Sequence, residues 1–411
     1  MTLAAHTRCR ICDTTLPAPF LDLGTMPLAN SFLNAAADAA DEPRFPLAVA
    51  ACPHCGLAQL TYVVPAEVLY RDYIYVSSTS DAVRAHAAVL ADRMIARHGW
   101  GTGDLVAEIA SNDGTVLKEF RRRGVRVLGI EPARNIAAMA SADGIETVAE
   151  FFDESLGRSL ASRGPAAGIL ARHVVAHIDD LRGLLRGIDQ FLAADGVFAL
   201  EVPYFGDLLA HREFDTVYHE HLSYFALRPL ERLCADMGFA VTDVERVSLH
   251  GGSMIVSIRR AGARATPSPR VLEMREHEAK TGFDAPASLA AFAREIAGWK
   301  ARFTRFVAEL ESHDARLAGY GAAAKANTLL NFCPDVARRL ACILDRSPHK
   351  HGKLTPGTHL PVHPVEHWRV ARPTHLLILA WNFKDEIVRQ MKPFADEGGR
   401  FVVPIPEPSL A

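Results

Sequence analysis

No apolar run in the 411 residues approaches the length needed to cross a bilayer. Met1 to Arg10 has no hydrophobic core of the kind a signal peptide carries. Neither sign of charge is in excess. The 45 Lys and Arg against 48 Asp and Glu leave a formal net charge of −3, which gives no indication of a broad basic surface for nucleic acid. The one tight basic run, Arg121-Arg122-Arg123, falls where a helix should end, and cations there complement the helix dipole. Cysteine is scarce: of seven in the chain, four fall in two Cys-x-x-Cys pairs. That usage fits a reducing compartment with a bound metal rather than a disulfide framework. A soluble cytoplasmic monomer, free of nucleic acid and membrane, is the expectation. Apolar residues make up 49% of the chain, enough for the cores of two or three domains.

Cys9-Arg10-Ile11-Cys12 and Cys52-Pro53-His54-Cys55 form two knuckles, and a tetrahedral structural zinc site with four thiolates accounts for both. A redox Cys-x-x-Cys is the rival reading. The segment from Leu21 to Val49 must then loop out and return. Tyr70, Tyr73, Tyr75 and Ser77 to Ser80 precede a helical pattern from Asp81 to His98. They read either as a helix cap or as the lining of a sugar site. A strand over Asp104 to Ile109, the turn Ala110-Ser111-Asn112-Asp113-Gly114, a helix from Thr115 and a strand from Val125 ending at Glu131 make a nucleoside-binding crossover. Small residues let the backbone approach the ligand and the acid takes the ribose hydroxyls. The turn resembles the glycine-rich loop of class I methyltransferases, with Ala110 and Asn112 in two glycine positions. Strands around Gly144 to Val148, Gly168 to Val175 and Gly196 to Val202 alternate with helices, which predicts a parallel sheet covered on both faces. The strand-end rule puts His173 and His177 near its crevice, although a capping role is open to each.

Asp215 to Phe225 concentrates the acid–base chemistry: Tyr218, His219, Glu220 and His221 with Tyr224 close behind. As a strand it would send Tyr218 and His221 to opposite faces; as a turn it would bring them together. A histidine with a phenol and a carboxylate beside it suits removal of a proton next to a carbonyl. The imidazole takes the proton, the phenol donates to the oxyanion and the carboxylate fixes the tautomer. A solvated polar loop is the plain alternative. Strands at Phe239 to Val247 and Met254 to Arg259, joined through His250-Gly251-Gly252-Ser253, close the sheet with a hairpin. Ala261 to Ser288, with Pro267, Pro269 and Pro286, reads as the domain junction. A second crossover follows, Tyr320-Gly321-Ala322-Ala323-Ala324-Lys325, whose next strand ends at Asp345. Lys325 at the helix start points toward a phosphate. Because Asp345 stands where a ribose-binding acid would, a nicotinamide-dependent nucleotide-sugar oxidoreductase is the competing function. A zinc-bearing scaffold without catalysis is the non-enzyme alternative.

Taken together and in this order, the knuckles, Ser111-Asn112-Asp113-Gly114-Thr115, Tyr218-His219-Glu220-His221-Leu222, the His-Gly-Gly-Ser segment and Tyr320 to Lys325 resemble the S-adenosylmethionine-dependent sugar C-methyltransferases of deoxysugar biosynthesis. The resemblance spans nearly the whole chain. It implies an α/β protein: a zinc-binding domain over 1–70 held by Cys9, Cys12, Cys52 and Cys55, a class I methyltransferase core over 71–275, and a C-terminal Rossmann-like domain over 276–411. It implies zinc and S-adenosylmethionine as cofactors. The acceptor would be a nucleotide-linked 4-keto-deoxysugar, with thymidine diphosphate as the family's nucleotide, methylated at C3 or alternatively C5. His221 would be the base, with Tyr218, Glu220, His177 and Tyr75 around it. Glu108, Ala110, Asn112, Gly114, Glu131, Phe152 and His173 would meet the cofactor. Ser78, Glu201, Tyr204, Tyr224, Lys325, Asn327 and Lys353 would meet the sugar nucleotide. The chain departs from the family at Ala110, which narrows the approach to the methionine portion, and at Ala326, which follows Lys325 where glycine is expected.

Overall fold

The computed structural model describes residues 5–34, 41–70, 76–247, 251–262 and 265–411. The segment expected to loop out between the knuckles returns as two antiparallel strands, Leu21–Met26 and Phe45–Ala51, with Ala58–Leu60 beside them. The fourth strand of this sheet, Ser223–Tyr224, comes from far along the chain, with Ser223 opposite Gln59 and Tyr224 opposite Ala58. The residues just after His221 are thereby hydrogen-bonded into the cysteine-bearing unit.

The central sheet has seven strands, in the order Phe239–Val247, Ser253–Arg260, Leu192–Pro203, Ala166–Arg172, Leu105–Ile109, Arg126–Ile130, Thr147–Val148. The last five are parallel to one another, and the first two form the antiparallel hairpin read from the sequence. Leu105–Ile109 is buried at every position, as a strand covered on both faces must be. The helix Asp81–His98 begins where expected, with the Ser80 hydroxyl accepting from the Val83 N–H, and stops at Gly99 in the left-handed region. The presumed junction contains a helix, Pro269–Thr281, and a second proline opens the long helix Pro286–Ser312. Proline is well tolerated in the first helical turn, where no N–H is needed, and these prolines start helices. Glu278 of the first helix accepts from the Leu227 and Arg228 N–H groups at 2.7 and 3.1 Å, satisfying the start of helix Leu227–Asp236.

The third sheet runs Val362–Pro364, Leu340–Asp345, Leu317–Tyr320, His375–Ile378, Arg400–Val403, Ser409–Leu410, parallel except for its last strand. Leu289, Phe292, Ile296, Trp299, Phe303 and Val307 form the buried stripe of the long helix at helical spacing. They share one core with Leu21 and Leu47 of the first sheet, with Phe214 just before the acid–base stretch and with Leu222 within it. A short ribbon pairs Lys353–Leu354 with Leu33–Asn34, so the C-terminal part also grips the N-terminal part. No helix among the described residues is long and apolar enough to cross a membrane.

Candidate active site

A cleft of about 670 Å³ is lined by segments from all three parts of the chain. Asn30 and Phe32 line it from the N-terminal part, Asn135, Ile136 and Met139 from the helix after Glu131, Glu220 from the acid–base stretch, and His349 and Lys353 from the C-terminal part. The loop after Leu105–Ile109, which carries the expected cofactor contacts, is not among the residues lining it, and neither are Tyr218, His221 and His177. Ala110, Asn112 and Gly114 all adopt positive φ, at 53°, 51° and 73°. This is the left-handed conformation that glycine takes without strain, so the first two do stand in glycine positions. A Cβ on Gly114 would come within 2.9 Å of Ile145. Glu131 ends its strand with one carboxylate oxygen on the Asn112 N–H and the other on the Ala133 N–H, both at 2.9 Å. Burial raises its pKa against those two donors. Ser77 and Ser78 lie over this loop, their N–H groups donating to Asn112 Oδ1 at 2.8 Å and Asp113 Oδ2 at 3.2 Å.

Behind the loop lies a group of buried charges. Glu201, 1% exposed, accepts from Arg172 Nε at 2.7 Å and pairs with His86 Nε2 at 3.2 Å, with His173 Nε2 at 3.5 Å. Burial works against its charge, but the Arg172 guanidinium and the two imidazoles outweigh it and hold the pKa well below the carboxylate range. Glu108 is different. Burial pushes it up to about 8 against the pull of Arg172, and one of its oxygens has no hydrogen-bond partner.

Residues 214–222 are a turn rather than a strand. The 3-10 segment Phe214–Thr216 is followed by a turn in which the His221 N–H donates to the Tyr218 carbonyl. Tyr218 and His221 therefore converge: the phenol oxygen lies 2.8 Å from His221 Nε2. His221 Nδ1 lies 2.8 Å from the Thr216 carbonyl. A carbonyl can only accept, so Nδ1 carries the proton and Nε2 keeps its lone pair, accepting the Tyr218 hydroxyl. Burial lowers the imidazole pKa to about 4, against the Thr216 carbonyl, so the ring is neutral at neutral pH and its Nε2 lone pair carries no proton. The tautomer-fixing task expected of Glu220 is thus performed by a backbone carbonyl. Glu220 Oε1 instead accepts from Asn30 Nδ2 at 2.6 Å in the cleft wall. His177 stands edge-on to His221, ring centroids 5.0 Å apart, and its Nδ1 lies 2.8 Å from the Tyr70 hydroxyl. Burial, then His221, holds its pKa well below the usual imidazole value.

Other candidate residues are placed elsewhere. Tyr75, like Tyr73 and His250, lies outside the described residues. Tyr204 packs edge-on to Phe283 under Arg246, and Tyr224 sits beside Phe205 in the core; neither lines the cleft. Phe152 packs against the apolar core beside Gly187. Asn327 is buried in the wall next to Tyr218 and His219, its amide donating to the Ala29 carbonyl at 2.7 Å. Lys325 does not reach the cleft; its ammonium is buried 4.3 Å above the Trp381 ring, without a hydrogen bond, near Glu213 and Asp215. Lys353 does line the cleft. In the C-terminal crossover Asp345 accepts from the Ala322 and Ser347 N–H groups at 2.6 and 2.7 Å, and Lys350 donates to the Ala322 carbonyl at 2.7 Å. Asn30, Arg172, His86 and His349 are absent from the expected site residues, and Tyr70 is named there only for a sugar-site lining. Only Tyr70 carried a signal, as part of the tyrosine-rich stretch.

The four knuckle thiols gather as expected, with all four Sγ atoms within 4.8 Å of one another. Cys9 and Cys55 approach to 3.5 Å, as do Cys12 and Cys52. Four thiolates about 2.3 Å from one zinc would stand roughly 3.8 Å apart, so the cluster fits a closed tetrahedral site.

Residues 9–70 match a zinc binding domain family, residues 99–244 a methyltransferase domain family, and residues 248–406 the C-methyltransferase C-terminal domain. C-methyltransferase NovU of Streptomyces niveus is 37% identical over 403 residues, covering 98% of this chain and 96% of its own. Among solved structures, a Burkholderia thailandensis 1,6-didemethyltoxoflavin-N1-methyltransferase is 19% identical, with a TM-score of 0.38, over 51% of this chain and 97% of its own. The magnesium protoporphyrin IX methyltransferase of Synechocystis is 13% identical, with a TM-score of 0.34, over 47% and 89%.

Proposed function

The chain belongs to the S-adenosylmethionine-dependent sugar C-methyltransferase family, and on that premise we propose that it methylates C3, the carbon beside the ketone, of a nucleotide-linked 4-keto-deoxysugar. S-adenosylmethionine is its methyl donor and zinc its structural metal. The observation that carries the finer reading is the arrangement of His221. Its Nδ1–H is fixed on the Thr216 carbonyl, and Nε2 keeps its lone pair beside a phenol.

A carbon next to a ketone becomes nucleophilic only after losing its proton, and His221 Nε2 takes it. The Tyr218 hydroxyl turns from Nε2 to the C4 oxygen and donates to the charge that develops there. His177 sits against the His221 ring, with its own Nδ1 held by Tyr70. Glu131 offers its remaining lone pairs to the ribose hydroxyls of the cofactor, and Asn112 and Gly114 keep the loop open beside it. When bound, S-adenosylmethionine supplies an electrophilic methyl group to the enolate carbon, its sulfur leaving as a neutral thioether. Lys353 and His349, on the far side of the cleft, meet the nucleotide diphosphate. Holding both substrates in one cleft accounts for about 7–11 kcal/mol of barrier lowering.

The experiment is product analysis with a small panel of 4-keto nucleotide sugars and labelled methyl donor. A new C–C bond at the carbon next to the ketone is expected. A methyl group found on oxygen, or at C5, would refute the C3 reading.

A further inference from the structure

The first cysteine knuckle does more than hold metal ligands. Arg10 sits between Cys9 and Cys12 with its side chain 1% exposed, and it does not point to solvent or to the metal ligands. Its guanidinium spreads over two segments remote in sequence. Nη1 donates to the Leu222 carbonyl at 3.1 Å and to the Leu60 carbonyl at 3.2 Å, and Nε donates to Asp179 Oδ1 at 2.8 Å. Leu222 follows His221, and Asp179 lies two residues beyond His177. The two segments also bond each other, Leu222 N–H to the Ala176 carbonyl at 2.7 Å. The knuckle end of Arg10 is itself fixed, its N–H donating to Gln59 Oε1 at 2.9 Å while Gln59 Nε2 donates to the Arg8 carbonyl at 3.0 Å. Gln59 lies opposite Ser223 in the shared sheet.

We propose that Arg10 is a positioning residue that ties the zinc knuckle to both histidine-bearing segments and so sets the spacing of His177 and His221. The planar guanidinium suits the task, because one rigid fork reaches two carbonyls and a carboxylate at once, which an ammonium does not match. This explains why the strand after His221 joins the cysteine-bearing sheet: the metal site anchors the knuckle, and Arg10 carries that rigidity to the base. The inference rests on the reading of His221 as the base.

Arg10→Met, Arg10→Lys and Arg182→Met are compared in the full-length zinc-loaded enzyme for zinc content, melting temperature, kcat, KM and solvent exchange of the substrate's α-proton. Arg182 is the control, since it holds the same knuckle through the Ile11 carbonyl at 2.6 Å but touches neither histidine segment. Arg10→Met is expected to keep its zinc and its KM values while kcat and proton exchange fall together by about a hundred-fold, the cost of a misplacement near 1 Å. Arg10→Lys should lose roughly ten-fold, as one charged hydrogen bond is given up, and Arg182→Met should keep wild-type kcat. Wild-type kcat in zinc-replete Arg10→Met would overturn the proposal, and so would an equal fall in Arg182→Met. If Arg10→Met fails to fold, Arg10→Lys decides: a reduced kcat with full zinc supports the proposal and a wild-type kcat overturns it. Exchange that persists in His221→Ala would instead sink the base assignment.

Discussion

Glu201→Gln separates a substrate-binding carboxylate from an internal one. The side chain is 1% exposed and its principal partner, Arg172, is 10% exposed, with Nε 2.7 Å away. Amide for carboxylate keeps shape and volume, so the change removes charge and puts an NH₂ group where guanidinium and imidazole donors converge. Losing one partner of a buried pair leaves the other charge uncompensated, which costs about 3–5 kcal/mol. The pH dependence carries the same information. Glu201 has a folded pKa well below its unfolded value, so its charge contributes stability that is present above the unfolded pKa and lost as pH falls through the folded one. Urea unfolding at pH 7 should therefore show the full deficit for the variant, narrowing as the pH falls below about 4. An unchanged urea midpoint at pH 7, with a raised KM for the sugar nucleotide, would refute this and restore Glu201 as a substrate contact.

Glu108→Gln should act in the opposite pH range. The wild-type carboxyl, at about 8 when folded, must give up its proton on unfolding above the ordinary carboxylate range, so it costs stability as pH rises toward 8. The variant should match wild type near pH 4.5 and be more stable at pH 8; equal urea midpoints at pH 8 would contradict the burial argument. Glu131→Ala should weaken S-adenosylmethionine binding by removing the ribose acceptor and freeing the Asn112 N–H it holds, by about ten-fold or more for a charged hydrogen bond. Calorimetry returning wild-type affinity would refute that role. Metal analysis should return one zinc per chain in the wild type and none after Cys52→Ser with Cys55→Ser; a chain that folds normally without metal would contradict the structural role.

The fold was legible where local patterning dictates structure. The alternating strands, the helix cap at Ser80 and the positive-φ turn at Ala110, Asn112 and Gly114 are all written in residues close together. The convergence of Tyr218 and His221 was one of two readings open in the sequence, since an i, i+3 turn brings them together and a strand parts them. What could not be read is set by tertiary contact. The prolines at 269 and 286 start helices because neighbouring elements supply partners for those helices, which a proline-rich composition hides. Lys325 looks like a phosphate ligand at a helix start, yet packing against Trp381 turns it inward. Glu220 is next to His221 in sequence, but consecutive residues diverge, and the tautomer falls to the Thr216 carbonyl. Arg10 gave no signal at all, because its partners are 50, 169 and 212 residues away.

The most direct test of the account leaves methyl transfer aside. The enzyme is incubated in deuterated water with S-adenosylhomocysteine and a 4-keto nucleotide sugar, and deuterium at the carbon beside the ketone is followed by NMR. Wild type should incorporate it, while His221→Ala should incorporate none and still bind the cofactor product. Deuterium entering at the wild-type rate in the variant would mean that another group removes the proton.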